Sequence, residues 1–275
     1  MNFYNQMNTK KELTLKEIQN CELEILKHVH KFCIKNNIKY SLTGGSLLGA
    51  IRHNGFIPWD DDIDIVMLRD DYERFLSLYK NNRFVLYEPR IQKDYYYSYA
   101  KVIDSETEMI EDNLLPIKGY GVYLDIFPLD KINDNRIIAF LNINILKIIR
   151  KMHALSNYSV FPEHKKGLEK DIGKFLFNFC KYIGFKNFIK LENYIIKFFA
   201  KNNTQHVINM YSYYGIREIF KANYFKDLLY HDFNNIRVYI LKEYHKFLSN
   251  LFGDYMQLPP REKRITHHRY KAYYK

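Results

Sequence analysis

Cysteine is scarce in this chain. Cys21, Cys33 and Cys180 make an odd set with no CxxC pair and no metal-ligand spacing. A disulfide framework and a cysteine-built zinc site are therefore excluded, and reduced thiols in a cytosol are expected. Glycine (11) and proline (7) are few beside 25 tyrosines and 20 phenylalanines. That balance excludes a disordered chain, because such aromatic side chains bury large areas. Long apolar runs are missing too. The longest, residues 137–149, is interrupted by Asn142, Asn144 and Lys147; it is too short to cross about 30 Å of hydrocarbon and reads as a buried or interfacial helix. Residues 1–11 are polar and lack the apolar core of a secretory signal, so a cytoplasmic protein is expected. Negative charge is in deficit: 42 Lys+Arg against 31 Asp+Glu leave a net +11. An anionic partner follows, whether nucleic acid, a lipid surface or a phosphorylated small molecule. No zinc-finger, RNP or helix-turn-helix pattern is present, and no nucleic acid is expected.

What is there begins with Thr14 and Glu17, a capping box, followed by Ile18, Cys21, Ile25, Val29 and Phe32 at spacings of three and four. They predict a helix over residues 14–36. Residues 38–43 alternate as a strand into Gly44-Gly45, and residues 46–53 read as a short helix closed by Asn54-Gly55. Further strands are expected at 62–67, 84–87, 96–102 and 122–127, with a helix at 70–80. From residue 131 the period becomes helical. Residues 1–130 are read as a catalytic core, 131–205 as a helical insertion, and 206–275 as a C-terminal helical segment with a basic tail. That tail, residues 261–275, has six Lys or Arg and one Glu, a net +5.

Four aspartates, Asp60, Asp61, Asp62 and Asp64, crowd directly after Trp59, the chain's single tryptophan. In an extended strand Asp62 and Asp64 project from one face and Ile63 and Ile65 from the other. Two carboxylates about 7 Å apart along a strand can hold a hard divalent ion. Upstream, the Gly44-Gly45-Ser46 turn opens a helix and lets backbone N–H groups approach an anion. Each segment alone also fits a plain structural turn. Together they describe a site that grips phosphate from one side and metal from the other.

The stretch TGGSLLGAIRHNGFIPWDDDIDIVM, residues 43–67, closely resembles the signature of the LicD family of phosphotransferases. GVYLDIFPLD (121–130) and FGDYMQLPPREKRITHH (252–268) agree with it. The resemblance implies an α+β fold, with a nucleotidyltransferase-like core of a small mixed sheet and flanking helices, here carrying the helical lobe. It implies transfer of a phospho-substituent, phosphocholine first, from a CDP-linked donor such as CDP-choline to a glycan hydroxyl of a teichoic acid, lipopolysaccharide or capsule precursor, with release of CMP. The family's fold asks for a third carboxylate on a neighbouring strand. Asp125 fits, with Asp130 as competitor set aside because Pro128 should end the strand. Asp62, Asp64 and Asp125 would then bind Mg²⁺ or Mn²⁺, Gly44, Gly45 and Ser46 the pyrophosphate, and Asp125 the acceptor's proton. Arg52 and Lys101 are candidates either for phosphate contact or for surface salt bridges, and Trp59 either stacks on cytosine or packs the turn. The near rival is a nucleotidyltransferase that delivers the nucleotide itself; a non-catalytic basic membrane-surface protein is the more distant one.

Tyr95, Tyr96, Tyr97 and Tyr99 could supply an aromatic cage for a quaternary ammonium. Lys186, Lys190, Lys197 and Lys201 form one stripe of a helix and Phe188, Leu191, Ile195 and Phe198 another. Such a helix suits either a bundle or peripheral contact with the inner membrane face, where a lipid-linked acceptor would lie. His267 and His268 read as surface basic residues. Residues 225–250 depart from the family pattern, since HDFNNIR lacks its proline-containing loop.

Overall fold

The computed structural model describes residues 10–161, 168–200, 204–266 and 270–275; Lys201, His267 and His268 lie outside them. The architecture is α+β, built on a mixed sheet. Helix α1 (Leu15–Lys35) starts at the expected capping box. The Thr14 amide donates to Glu17 Oε2 at 2.8 Å and the Glu17 amide to Thr14 Oγ1 at 3.3 Å. Its stripe of Ile18, Cys21, Ile25 and Val29 is buried.

Strand β1 (Ser41–Leu42) leads through Thr43 into α2 (Gly44–His53), which Asn54 closes in the left-handed region at φ 53°. Then come β2 (Asp64–Leu68), α3 (Arg69–Leu78), β3 (Phe84–Tyr87), β4 (Ala100–Asp104), β5 (Thr107–Glu111) and β6 (Tyr123–Lys131). The sheet order is β1-β2-β6-β4-β3, with β2 and β6 parallel and the other pairs of that path antiparallel. Helix α1 packs over β4 and β6. Several boundaries shift from expectation, two of them at the site. Strand β2 starts at Asp64, leaving Asp62 in the preceding loop, and β4 starts at Ala100, leaving the tyrosine run before it.

Pro128 does not end β6, which runs on to Lys131. The Asp125 amide donates toward β2, to Ile63 O at 2.9 Å. By alternation the N–H that Pro128 lacks would point to the other side. There β4 stops pairing at Ile126 and β7 (His206–Asn209) starts only at Leu129, so no ladder bond is lost.

Three helices follow β6: α4 (Arg136–Asn157), α5 (Leu168–Ile183) and α6 (Phe185–Phe199), with α4 packed on both others. His153 Nδ1 meets Glu192 Oε1 at 2.8 Å, and Ser98 Oγ donates to Glu192 Oε2 at 2.6 Å, pinning α4 and α6 to the core. The C-terminal part is less helical than expected. Beyond β7 it holds β8 (Phe220–Lys221), β9 (Leu228–Phe233), β10 (Ile236–Leu241), α7 (Tyr244–Phe252) and β11 (Tyr270–Tyr274). The HDFNNIR segment turns a hairpin at Asn234, whose φ of 52° an asparagine tolerates. The end of the basic tail, Tyr270–Tyr274, is fixed as β11 by antiparallel pairing with β5.

Candidate active site

The sheet sets the site's geometry. In the parallel ladder Asp64 of β2 lies opposite Asp125 of β6, and on the other side Asp125 lies opposite Lys101 of β4. Residues paired across a ladder share a face, so two carboxylates and an ammonium stand in one row. Ile63 and Ile65, on the reverse face, are fully buried. Lys101 is 1% exposed, and its Nζ donates to Asp125 Oδ1 at 2.5 Å. The same Nζ lies 3.3, 4.4 and 5.4 Å from the ring centres of Tyr123, Tyr97 and Tyr99.

The glycine turn abuts this row. A Cβ on Gly44 would lie 3.5 Å from Asp64 Oδ2, and one on Gly45 only 2.7 Å from Asp60 Oδ2. Gly44 also needs its φ of 54°. No side chain caps the N-terminus of α2, and Thr43 Oγ1 is buried with no hydrogen-bond partner. Ser46 is buried, and its hydroxyl accepts the Asp64 amide at 2.8 Å, latching α2 to the start of β2.

From outside the sheet, α1 and β11 reach the acidic loop. Gln19 Nε2 donates to Asp60 O at 2.9 Å, and the Tyr270 hydroxyl donates to Asp61 O at 3.1 Å. One turn on from Gln19 is Glu22, 1% exposed, with Oε2 lacking any hydrogen-bond partner among the described residues. Burial, and then Asp62, Asp61, Asp60 and Asp125, push its carboxyl well above the usual range. Asp64 is raised for the same reasons, burial first and then Asp62, Asp125 and Asp60, with Lys101 pulling the other way. Such concentrated negative charge around the buried Glu22 and the half-buried Asp64 suits a cation or a proton.

Asp62, Asp64, Asp125, Gly44, Gly45, Ser46 and Lys101 thus gather around one row. Lys101 reaches Asp125 rather than open space. Arg52 sits at the opposite end of α2, donating to Tyr255 O at 2.9 Å and Gln257 O at 3.3 Å. Trp59 is half-buried, edge-on to His53 at 6.3 Å and under the Arg264 guanidinium at 5.7 Å. Asp130 is taken by Arg69 through two bonds of 2.8 and 2.6 Å. The tyrosine cage is already filled. Tyr97, Tyr99 and Tyr123 surround the chain's own ammonium, while Tyr96 and Tyr97 donate to Glu111 and Tyr95 to Tyr99 O.

Glu22 escaped sequence reasoning, although a signal exists: it interrupts the apolar stripe between Ile18 and Ile25. Tyr214 escaped as well. Its ring packs on Phe252 at 5.2 Å, and its hydroxyl is pushed up to about 12 by burial first and then by Glu218, Asp64 and Asp60.

Among the described residues no three His, Cys, Asp or Glu side chains are arranged to close on one metal ion. Magnesium seldom asks for this, since one or two carboxylates plus substrate phosphates commonly complete its shell. Asp62 and Asp64, with Asp125 adjoining, are hard oxygen donors in a region of excess negative charge, and they fit such an ion.

Comparison with known proteins identifies relatives of the chain. The family described as LicD/FKTN/FKRP, nucleotidyltransferase domain, matches residues 37–143, which hold the glycine turn, the acidic loop, Lys101 and Asp125. The lipopolysaccharide cholinephosphotransferase LicD of Haemophilus influenzae is 33% identical over 272 residues, 96% of this chain and 99% of that protein. Ribitol 5-phosphate transferase FKRP of Homo sapiens, like that of Mus musculus, is 53% identical over 34 residues, 12% of this chain and 7% of its own length. The chain belongs to the LicD family of phosphotransferases.

Proposed function

We propose that the protein transfers a phospho-substituent, phosphocholine in the first instance, from a CDP-linked donor to a hydroxyl of a lipid-linked cell-surface glycan precursor, on a nucleotidyltransferase-like core. The juxtaposition of Asp64 and Asp125 across a parallel ladder, beside the glycine-opened end of α2, carries this reading. The similarity to a lipopolysaccharide cholinephosphotransferase over nearly the whole chain supports phosphocholine.

Asp62, Asp64 and Asp125 would hold Mg²⁺ or Mn²⁺. When bound, such an ion neutralises charge on the phosphate oxygens. The residues' own contribution is positioning. Backbone amides at Gly44 and Gly45 approach the donor's pyrophosphate, Ser46 fixes α2 against Asp64, and Lys101 holds Asp125 in one orientation. The acceptor oxygen bonds to the donor's distal phosphorus as its proton passes to a carboxylate of the site, Asp125 first, while the bond from that phosphorus to the bridging oxygen breaks and CMP leaves.

Incubation with Mg²⁺, a glycan acceptor and a panel of CDP-alcohols tests the proposal. CMP and a phospho-substituted glycan are expected, CDP-choline giving the fastest turnover. Pyrophosphate release from a nucleoside triphosphate, with no CMP from any CDP-alcohol, would instead assign nucleotide transfer.

A further inference from the structure

Helices α4, α5 and α6 present an unusual surface. Two outward apolar side chains on each illustrate it: Ile137 and Ile148 on α4 are 71% and 62% exposed, Phe175 and Tyr182 on α5 are 74% and 91%, and Tyr194 and Phe198 on α6 are 65% and 68%. Sequence periodicity sets Phe188 and Phe198 on one stripe of α6, but the fold separates them. Phe188 packs inward with Ile189 and Ile196, while Phe198 stacks on Tyr194 at 6.1 Å on the outside.

The same helices are strongly basic. They carry four Lys or Arg and no acid on α4, three against two on α5 and three against one on α6, a net +7 of the chain's +11. The acid on α6, Glu192, is buried against His153 and Ser98 and offsets nothing outside. Lys190 and Lys197 lie one helical turn from Tyr194, so charge and aromatic surface adjoin. Among the described residues no helix is long and apolar enough to cross a membrane.

We propose that α4, α5 and α6 form a seat for an anionic lipid bilayer, with aromatic and aliphatic side chains at the acyl boundary and lysines among the headgroups. Charge selects this occupant. A second copy would bring two sets of strongly basic helices together, and a nucleic acid would leave the apolar side chains in water. The inference uses no residue of the candidate active site and stands apart from the transferase reading.

Co-sedimentation with vesicles tests it, using phosphatidylglycerol mixed with phosphatidylcholine against phosphatidylcholine alone. The protein should pellet with the anionic vesicles, less so at high salt. Phe175→Ser/Phe179→Ser and Lys190→Glu/Lys197→Glu should each weaken binding about tenfold or more. These side chains are exposed, and circular dichroism with thermal melts should show both variants folded. Absence of binding to anionic vesicles, or binding unchanged in both variants, would overturn the proposal. So would a dimer in analytical ultracentrifugation that Phe175→Ser/Phe179→Ser dissociates, which would give the face to a second copy.

Discussion

Lys101 Nζ stands 2.5 Å from Asp125 Oδ1 at the centre of the sheet, enclosed by Tyr97, Tyr99 and Tyr123. A lysine that sequence reasoning would aim at a phosphate is instead the partner of a carboxylate. The tyrosines that suggest a ligand's ammonium cage hold this internal one. Position in the ladder explains both, because Lys101 and Asp125 are direct cross-strand partners.

Lys101→Met keeps the stem and removes the charge. Breaking a buried ion pair from one side costs about 3–5 kcal/mol. The melting temperature should fall by several degrees and transfer by more than about a hundredfold. Lys101→Met/Asp125→Asn should recover most of the stability and none of the activity, as read by thermal melts beside CMP release.

Asp62→Asn and Asp64→Asn should each abolish transfer while the circular dichroism stays native. Asp64→Asn should also raise the metal-free melting temperature, since the neutral amide escapes the burial and the like charges that disfavour Asp64 as an anion. Retained CMP release in either variant would remove that residue from the site.

Gly45→Ala tests how closely the acidic loop sits on α2. The added Cβ would stand 2.7 Å from Asp60 Oδ2, well inside normal contact. The carboxylate is the far end of a side chain and Ala favours the helix, so stability should change little while the displaced acidic loop reduces transfer. Thermal melts and initial rates on the same preparation separate the two effects.

Much of this centre was legible in the chain. Thr14 and Glu17 announced α1, and the glycine turn and Asp64 lie where their patterns put them, since local rules govern caps, turns and alternation, whereas Asp62 falls in the loop before β2 instead of sharing its strand. Partnerships between strands were not legible. Pro128 looked like a strand end because nothing local reveals that β4 and β7 leave a gap beside it. Arg52 looked free to meet a phosphate, because its partners Tyr255 and Gln257 lie some 200 residues away. The C-terminal strands were missed as well, since β7 and β11 are defined by pairing with β6 and β5.

Glu218 gives a pH signature independent of catalysis. It is 2% exposed, its Oε2 has no hydrogen-bond partner among the described residues, and burial pushes its carboxyl up to about 8 from 4.5 against the opposing pull of Ser212 and Arg150. Below about pH 4.5 folded and unfolded chains both hold the proton. Between there and about pH 8 only the folded chain does, so its stabilising contribution is lost as pH rises. Glu218→Gln lacks that dependence. Its stability relative to wild type should increase from pH 5 to pH 8, by at most roughly 5 kcal/mol, in urea melts at the two pH values.

Glu22 makes the last test, because it lies outside the region matched by the family and yet joins the acidic centre. A buried carboxylate with an unpartnered oxygen is unfavourable in the metal-free chain. Glu22→Gln should therefore raise the metal-free melting temperature by a few degrees. If Glu22 adds to the field that attracts a divalent ion, the same variant should gain less from added Mg²⁺ or Mn²⁺, so that the two melting curves converge or cross as metal is titrated. A variant more stable by the same margin at every metal concentration would make Glu22 a packing residue with no part in the site. Gln19→Ala, which loses the neutral contact to Asp60 O but keeps the charge, serves as control. It should be less stable at every concentration and show an unaltered metal response.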